Sequence, residues 1–164
     1  MDDRARVEEL IGRPPRGAFD VVVRTAEGDP VVVRNAPFLG DGTPMPTRYY
    51  LVGADLVRAV SRIEAIGGVR QSEADLDPVD IAGAHAAYAA ERDAAIPADH
   101  VGPRPSGGVG GTRMGVKCLH AHGAQLLAGG TDVVAEWTLA RLGNDRGVLD
   151  GLQPPAPHVE EAAP

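Results

Sequence analysis

The sequence predicts an α+β fold: a small antiparallel three-stranded sheet packed against about four to five helices. Three observations carry that reading. Val-rich segments bounded by turn residues are confined to the first third of the chain. Apart from one short N-terminal segment, stretches with apolar residues at helical spacing come after them. Strands and helices are therefore segregated along the chain, which argues against a doubly wound nucleotide-binding fold, where they alternate.

Asp3–Ile11 places Val7, Leu10 and Ile11 at helical spacing, and the Gly12–Gly17 stretch with Pro14 and Pro15 ends that helix. Phe19–Thr25 reads as a strand, Glu27-Gly28-Asp29 as a turn and Val31–Asn35 as the return strand of a hairpin. Phe38–Thr47, with its Gly, Asp and Pro residues, is a shaped loop, and Arg48–Val52 is the third strand. Asp55–Ile66 carries Leu56, Val60 and Ile63 on one face and stops at Gly67-Gly68. Gln71–Pro78 is acidic and loop-like, and Val79–Ala95 is an Ala-rich helix ending before Pro97. Pro97–Gly111 is a Gly- and Pro-rich connector. Thr112 then caps a helix expected from Arg113 to about Ala128, broken by Gly129-Gly130. Asp132–Leu142 is the last helix, with Trp137 as its largest buried candidate.

The 164 residues suffice for one domain, expected over residues 1–146, followed by a Pro-rich acidic disordered tail over 147–164. With 43% hydrophobic but only 4% aromatic residues, the core must be built from Val, Leu, Ile and Ala. A net charge of −7 argues against non-specific nucleic-acid binding, which needs a basic surface. The sequence shows no apolar run long enough to cross a bilayer, and the acidic N-terminal segment lacks the apolar stretch of a signal peptide. A cytoplasmic protein without membrane insertion is expected. The single cysteine excludes an internal disulfide.

Candidate functional residues concentrate in Thr112–His122, TRMGVKCLHAH. Arginine outnumbers lysine fifteen to one, and the lone lysine, Lys117, adjoins the lone cysteine, Cys118. A compact ammonium and a planar guanidinium bind differently, so a single lysine in such a chain invites a specific role. On a helix starting at Arg113, the side chains of Arg113, Lys117 and His120 share one face. With the backbone of Gly110, Gly111 and Thr112 they compose an anion site for phosphate or carboxylate. The GGVGGTR run lacks P-loop spacing and follows no strand, so no dinucleotide or P-loop motif is implied. Cys118 and His122 share a second face, as a weak candidate for a thiol–imidazole catalytic pair. They are too few for a structural zinc site, and neither a metal nor another cofactor is expected there. On the Ala-rich helix His85, Tyr88 and Arg92 line up as a possible second wall of the anion site. His100 and His158 fall in a loop and in the tail without an assignable partner.

The stretches DGTPMPTRYYL, VSRIEAIGGV, AYAAERD and GVKCLHAH, in this order and spacing, resemble a bacterial family of unknown function, domain-of-unknown-function family five hundred and one. The resemblance covers roughly Ile11 to Leu142, and PT-x-YYL with VKCLHAH is its specific combination. It implies an actinobacterial source, in keeping with the Arg-for-Lys bias, but no activity. Members often carry further cysteines near the first hairpin and after YYL, where this chain reads RTAEGDP and YYLVGADL. That departure argues against metal at Cys118 and His122. The resemblance also implies a gene neighbourhood that often holds enolase, a septum-formation initiator and an exopolyphosphatase-like enzyme. Two readings stay open: a domain that binds a small phosphate- or carboxylate-bearing ligand, and a non-catalytic protein-interaction module linked to envelope growth or division.

Overall fold

A computed structural model describes residues 2–154 of the chain. Six α-helices surround a three-stranded sheet: α1 (Asp3–Ile11), β1 (Phe19–Arg24), β2 (Pro30–Asn35), β3 (Tyr49–Leu51), α2 (Ala54–Ala65), α3 (Gly68–Asp75), α4 (Pro78–Ala94), α5 (Leu119–Leu127) and α6 (Val133–Ala140). Short 3-10 segments lie at Val109–Gly111 and Gly143–Leu149. The expected α+β class and antiparallel sheet are both present. Among the described residues no helix is long and apolar enough to cross a membrane.

The strands run in the order β1-β2-β3, each neighbour antiparallel, with Val21 opposite Val33 and Val32 opposite Leu51. Strand β2 keeps an unbroken Val31-Val32-Val33 run because both sheet faces are covered. On one face Val7 of α1 meets Val33 and Val52. On the other, Val23, Val32 and Leu51 join the main core with Leu56, Val60, Tyr88, Leu119 and Val134. Non-aromatic residues dominate this core, as the composition demands.

Helix α4 braces the entry to β3. The Arg48 N–H donates to Tyr88 Oη (2.5 Å), and the Tyr88 hydroxyl donates to the Pro46 carbonyl (3.0 Å). Tyr49 packs edge-on against the Tyr88 ring, and Arg48 pairs with Glu91 of the same helix at 3.2 Å. Tyr88→Phe leaves the Arg48 N–H and the Pro46 carbonyl without this partner beside the core. It is expected to cost about 1–2 kcal/mol, measurable as a lower urea midpoint at unchanged m-value. An unchanged midpoint would show that the ring alone carries the brace.

Three expectations are corrected. First, α5 begins at Leu119, not near Arg113. Gly110, Gly111 and Gly115 take positive φ, and Thr112 is extended, its hydroxyl donating to the Met114 carbonyl instead of capping a helix. Cys118 is the actual N-cap, its Sγ accepting the Ala121 N–H at 3.4 Å. Second, part of the expected acidic loop is helix α3. Gly68 fits against Ile63, where a Cβ would stand 2.6 Å from the Ile63 carbonyl oxygen, so the chain re-enters a helix after the Gly67 turn. Asp75 at the end of α3 accepts from Trp137 Nε1 (2.8 Å) and Arg141 (3.0 Å) of α6 and its end. Third, Gly147–Pro154 does not behave as a tail. Leu149 closes a 3-10 segment, and the backbones of Gln153 and Arg24 exchange hydrogen bonds of 2.8 and 3.3 Å. The rest of the expected tail, with His158, lies outside the described residues.

Candidate functional site

The Gly-rich connector that leads to α5 is held from three sides. Arg92, only 2% exposed, donates from Nη1 to the Gly107 carbonyl at 2.7 Å. His85 Nδ1 accepts the Val109 N–H at 3.0 Å, which places the ring proton on Nε2, and Nε2 donates to the Gly115 carbonyl at 2.8 Å. Glu73 of α3 accepts the Val116 N–H at 2.7 Å. The close approach to His85 requires glycine at position 108, where a Cβ would stand 2.5 Å from His85 Nδ1. Of the proposed second wall, His85 and Arg92 thus fasten the connector, while Tyr88 fastens the β3 entry.

Between α4 and this connector lies a pocket of about 410 Å³. Pro78, Ile81, Ala82 and Met114 give it an apolar wall, and Arg113, His85, Glu73 and Gly115 also line it. Arg113 is exposed and, among the described residues, pairs with no carboxylate. Lys117 bends back along the connector, its Nζ donating to the Gly110 carbonyl at 3.2 Å.

His120 turns away from both cations. Its Nδ1 lies 3.1 Å from Glu64 Oε1 of α2, and its Nε2 faces Ser61 Oγ (3.0 Å) and the Val57 carbonyl (3.2 Å). Burial opposes the charged imidazole. The hydrogen bond with Cys118, the Glu64 carboxylate and the Val57 carbonyl outweigh it, so the His120 pKa is raised to about 9. Glu64 Oε1 also accepts the Leu119 N–H at 2.5 Å, which holds the first residue of α5 against α2.

Cys118 and His122 do not form the pair that helical spacing suggests. Cys118 stands before the helix, so the i, i+4 relation does not apply. His122 points into the core, where Nδ1 meets both oxygens of Asp132 at 2.9 and 2.7 Å. Its ring centroid lies 5.5 Å from that of His85. His122 Nε2 and Gln125 Oε1 are buried with no hydrogen-bond partner among the described residues. His100 stacks on Phe38 with centroids 4.2 Å apart.

The arrangement from β1 to the end of α6 can be set against known proteins. The family described as a protein of unknown function, DUF501, matches residues 21–140. The chain belongs to that family. No curated protein and no solved structure matches it. The DUF501 match takes in the connector, the pocket-lining Arg113 and the groups around Cys118, and omits α1.

Three acidic residues of this DUF501 domain escaped the sequence reading: Glu64, Glu73 and Asp132. Each sits on or at the end of a helix and accepts a backbone N–H from a segment distant in sequence or from its own helix start. The available signal for Asp132 was its place before α6, which marks it as an N-cap. For Glu64 and Glu73 nothing in local pattern distinguishes them from solvated helix acids.

Proposed function

We propose that this DUF501 domain binds a small ligand carrying a phosphate or carboxylate, with Arg113 as its anion contact at the pocket beside α4. The supporting observation is an exposed guanidinium with no carboxylate partner among the described residues, lining a pocket of about 410 Å³ whose main wall is apolar. Pockets of this order accommodate small metabolites. A guanidinium offers planar bidentate contact to either acid group. Glu73 is the one carboxylate in the lining, and its Oε1 is engaged by the Val116 N–H. The ligand best suited has an apolar body against Ile81 and Met114 and an acid group at Arg113. Lys117 stands on the same connector and adds a second positive charge to it, whereas the Gly111 and Thr112 N–H groups are engaged by the Gly108 and Val109 carbonyls. The reading takes the domain as cytosolic and leaves a reaction unassigned.

A thermal-shift screen with sugar phosphates, nucleotides, polyphosphate and small apolar carboxylates tests this. At 100 times its Kd a ligand adds about 2.7 kcal/mol, which raises Tm by several degrees in a domain of this size. Arg113→Ala is expected to remove that shift and Lys117→Ala to reduce it. Both side chains are exposed, so the unliganded Tm of each variant stays near that of the parent. A parent protein that no anion stabilises at millimolar concentration, or an Arg113→Ala variant stabilised equally, rejects the reading.

A further inference from the structure

Apart from the pocket, three side chains of different chemistry converge between α2 and the start of α5. One carboxylate oxygen of Glu64, Cys118 Sγ and one ring nitrogen of His120 all lie within 4.8 Å of one another. We propose that Glu64, Cys118 and His120 form a binding site for one zinc-class divalent cation, with a further coordination position open to solvent.

The distances are close to what such an ion requires. Zinc bonds of about 2.0–2.3 Å in tetrahedral arrangement put donor atoms on the order of 3.5 Å apart. The Glu64 Oε1–His120 Nδ1 separation is already 3.1 Å. The other separations, within 4.8 Å, are the ones that would close on the ion.

The proton positions on His120 point the same way. The Ser61 hydroxyl donates to the Val57 carbonyl at 2.7 Å, so its oxygen is left to accept from His120 Nε2. The Val57 carbonyl, 3.2 Å from the same nitrogen, can only accept. Nε2 therefore carries a proton. Nδ1 then faces a carboxylate oxygen and the Cys118 sulfur, so the proton it holds there is the group that a divalent cation would displace. A ring nitrogen fixed to a carbonyl on one side and presenting the other to a ligand set is the usual outer support of a metal-binding histidine. Glu64 is oriented in the same manner by the Leu119 N–H.

The donor types select the ion. One thiolate, one imidazole and one carboxylate suit zinc and its neighbours, whereas magnesium and calcium take oxygen alone. Thiolate and carboxylate together balance a divalent charge. All three residues are partly exposed, which gives the ion an entry path and leaves room for a solvent ligand. The site shares no side chain with the lining of the Arg113 pocket, so this proposal stands or falls independently of the proposed anion ligand.

The test uses the full chain, tag-free and reduced, titrated with Co²⁺ and then challenged with Zn²⁺. The chain has one cysteine, so any thiolate-to-cobalt charge-transfer band reports Cys118. The expected result is a near-ultraviolet band saturating at one equivalent and bleached by one equivalent of Zn²⁺. Cys118→Ser removes the band. His120→Gln and Glu64→Gln weaken Zn²⁺ binding by more than the roughly 10- to 100-fold typical of losing an outer partner. Glu64→Gln keeps an acceptor for the Leu119 N–H, and circular dichroism establishes that each variant is folded. A folded parent protein whose thiol is titratable but gives no such band at saturating Co²⁺ overturns the proposal. So does Zn²⁺ affinity left unchanged by His120→Gln.

Discussion

Replacing Asp132 by alanine is expected to lower stability by about 2–5 kcal/mol, the cost of a lost helix cap and of a buried ring nitrogen left without its partner. Asp132 is 0% exposed, and its two oxygens meet His122 Nδ1 at 2.9 and 2.7 Å. Its Oδ1 also caps α6 through the Ala135 N–H at 3.0 Å. The alanine variant therefore loses a cap, opens a small cavity and leaves His122 without its acceptor. That imidazole has no relief elsewhere, since its Nε2 is already unpartnered among the described residues and its side chain is 1% exposed. Asp132→Asn separates these contributions. The amide oxygen still accepts from one of the two N–H groups, so a smaller loss of about 1–2 kcal/mol is expected. Urea unfolding of the two variants provides the comparison. An alanine variant within about 1 kcal/mol of the parent, no more than a single hydrogen bond contributes, would mean that α5 and α6 are held by apolar packing alone.

That pair marks the boundary of what the sequence made legible. The sheet was legible because its determinants are local: the Val runs, the turn at Glu27-Gly28-Asp29 and the Tyr49-Tyr50-Leu51 strand after a Pro-rich loop. Helix α2 was legible because Leu56, Val60 and Ile63 repeat at helical spacing and are buried, and α4 because its Ala-rich run favours a helix and stops before Pro97, with Ile81, Ala84 and Tyr88 on its buried face. The start of α5 was not legible, because it is decided by distant acceptors. Glu73 takes the Val116 N–H, Glu64 takes the Leu119 N–H, and Gly115 at φ +66° is the last left-handed residue before the helix. Thr112 looked like a cap because hydroxyl residues before a helical run usually are, yet a cysteine six residues on does that work. The displaced start rearranged the whole site. Arg113 and Lys117 sit on an irregular connector, so their spacing from His120 no longer places the three on one face. Cys118 gained His120 as neighbour, and His122 went to the core. The internal pairing of Thr112–His122 depends on residues far away in the chain.

Two glycine-to-alanine changes on either side of His85 are expected to act with opposite sign. At Gly108 an added Cβ would stand 2.5 Å from the Cβ and Nδ1 of His85 and 2.6 Å from its Cγ. Gly108 has φ −94°, so the obstacle is contact and not a left-handed backbone. The ring cannot retreat cheaply, because it is buried and tied to the Val109 N–H and the Gly115 carbonyl. Overpacking costs about 1–3 kcal/mol, and one displaced hydrogen bond adds about 1 kcal/mol. Gly108→Ala is therefore expected to destabilise by about 2–4 kcal/mol. Gly83 lies two residues before His85 in the interior of α4, is exposed, and has no neighbouring atom within 4 Å of where an added methyl would stand. There alanine is expected to stabilise by about 1 kcal/mol through helix propensity alone. The pair also bears on function. His85 lines the Arg113 pocket, so Gly108→Ala is expected to weaken any anion-induced Tm shift, while Gly83→Ala leaves that shift intact. If Gly108→Ala unfolds at the same urea concentration as the parent, His85 is not the post on which the connector rests. The pocket would then owe its shape to Arg92 at Gly107 and Glu73 at Val116.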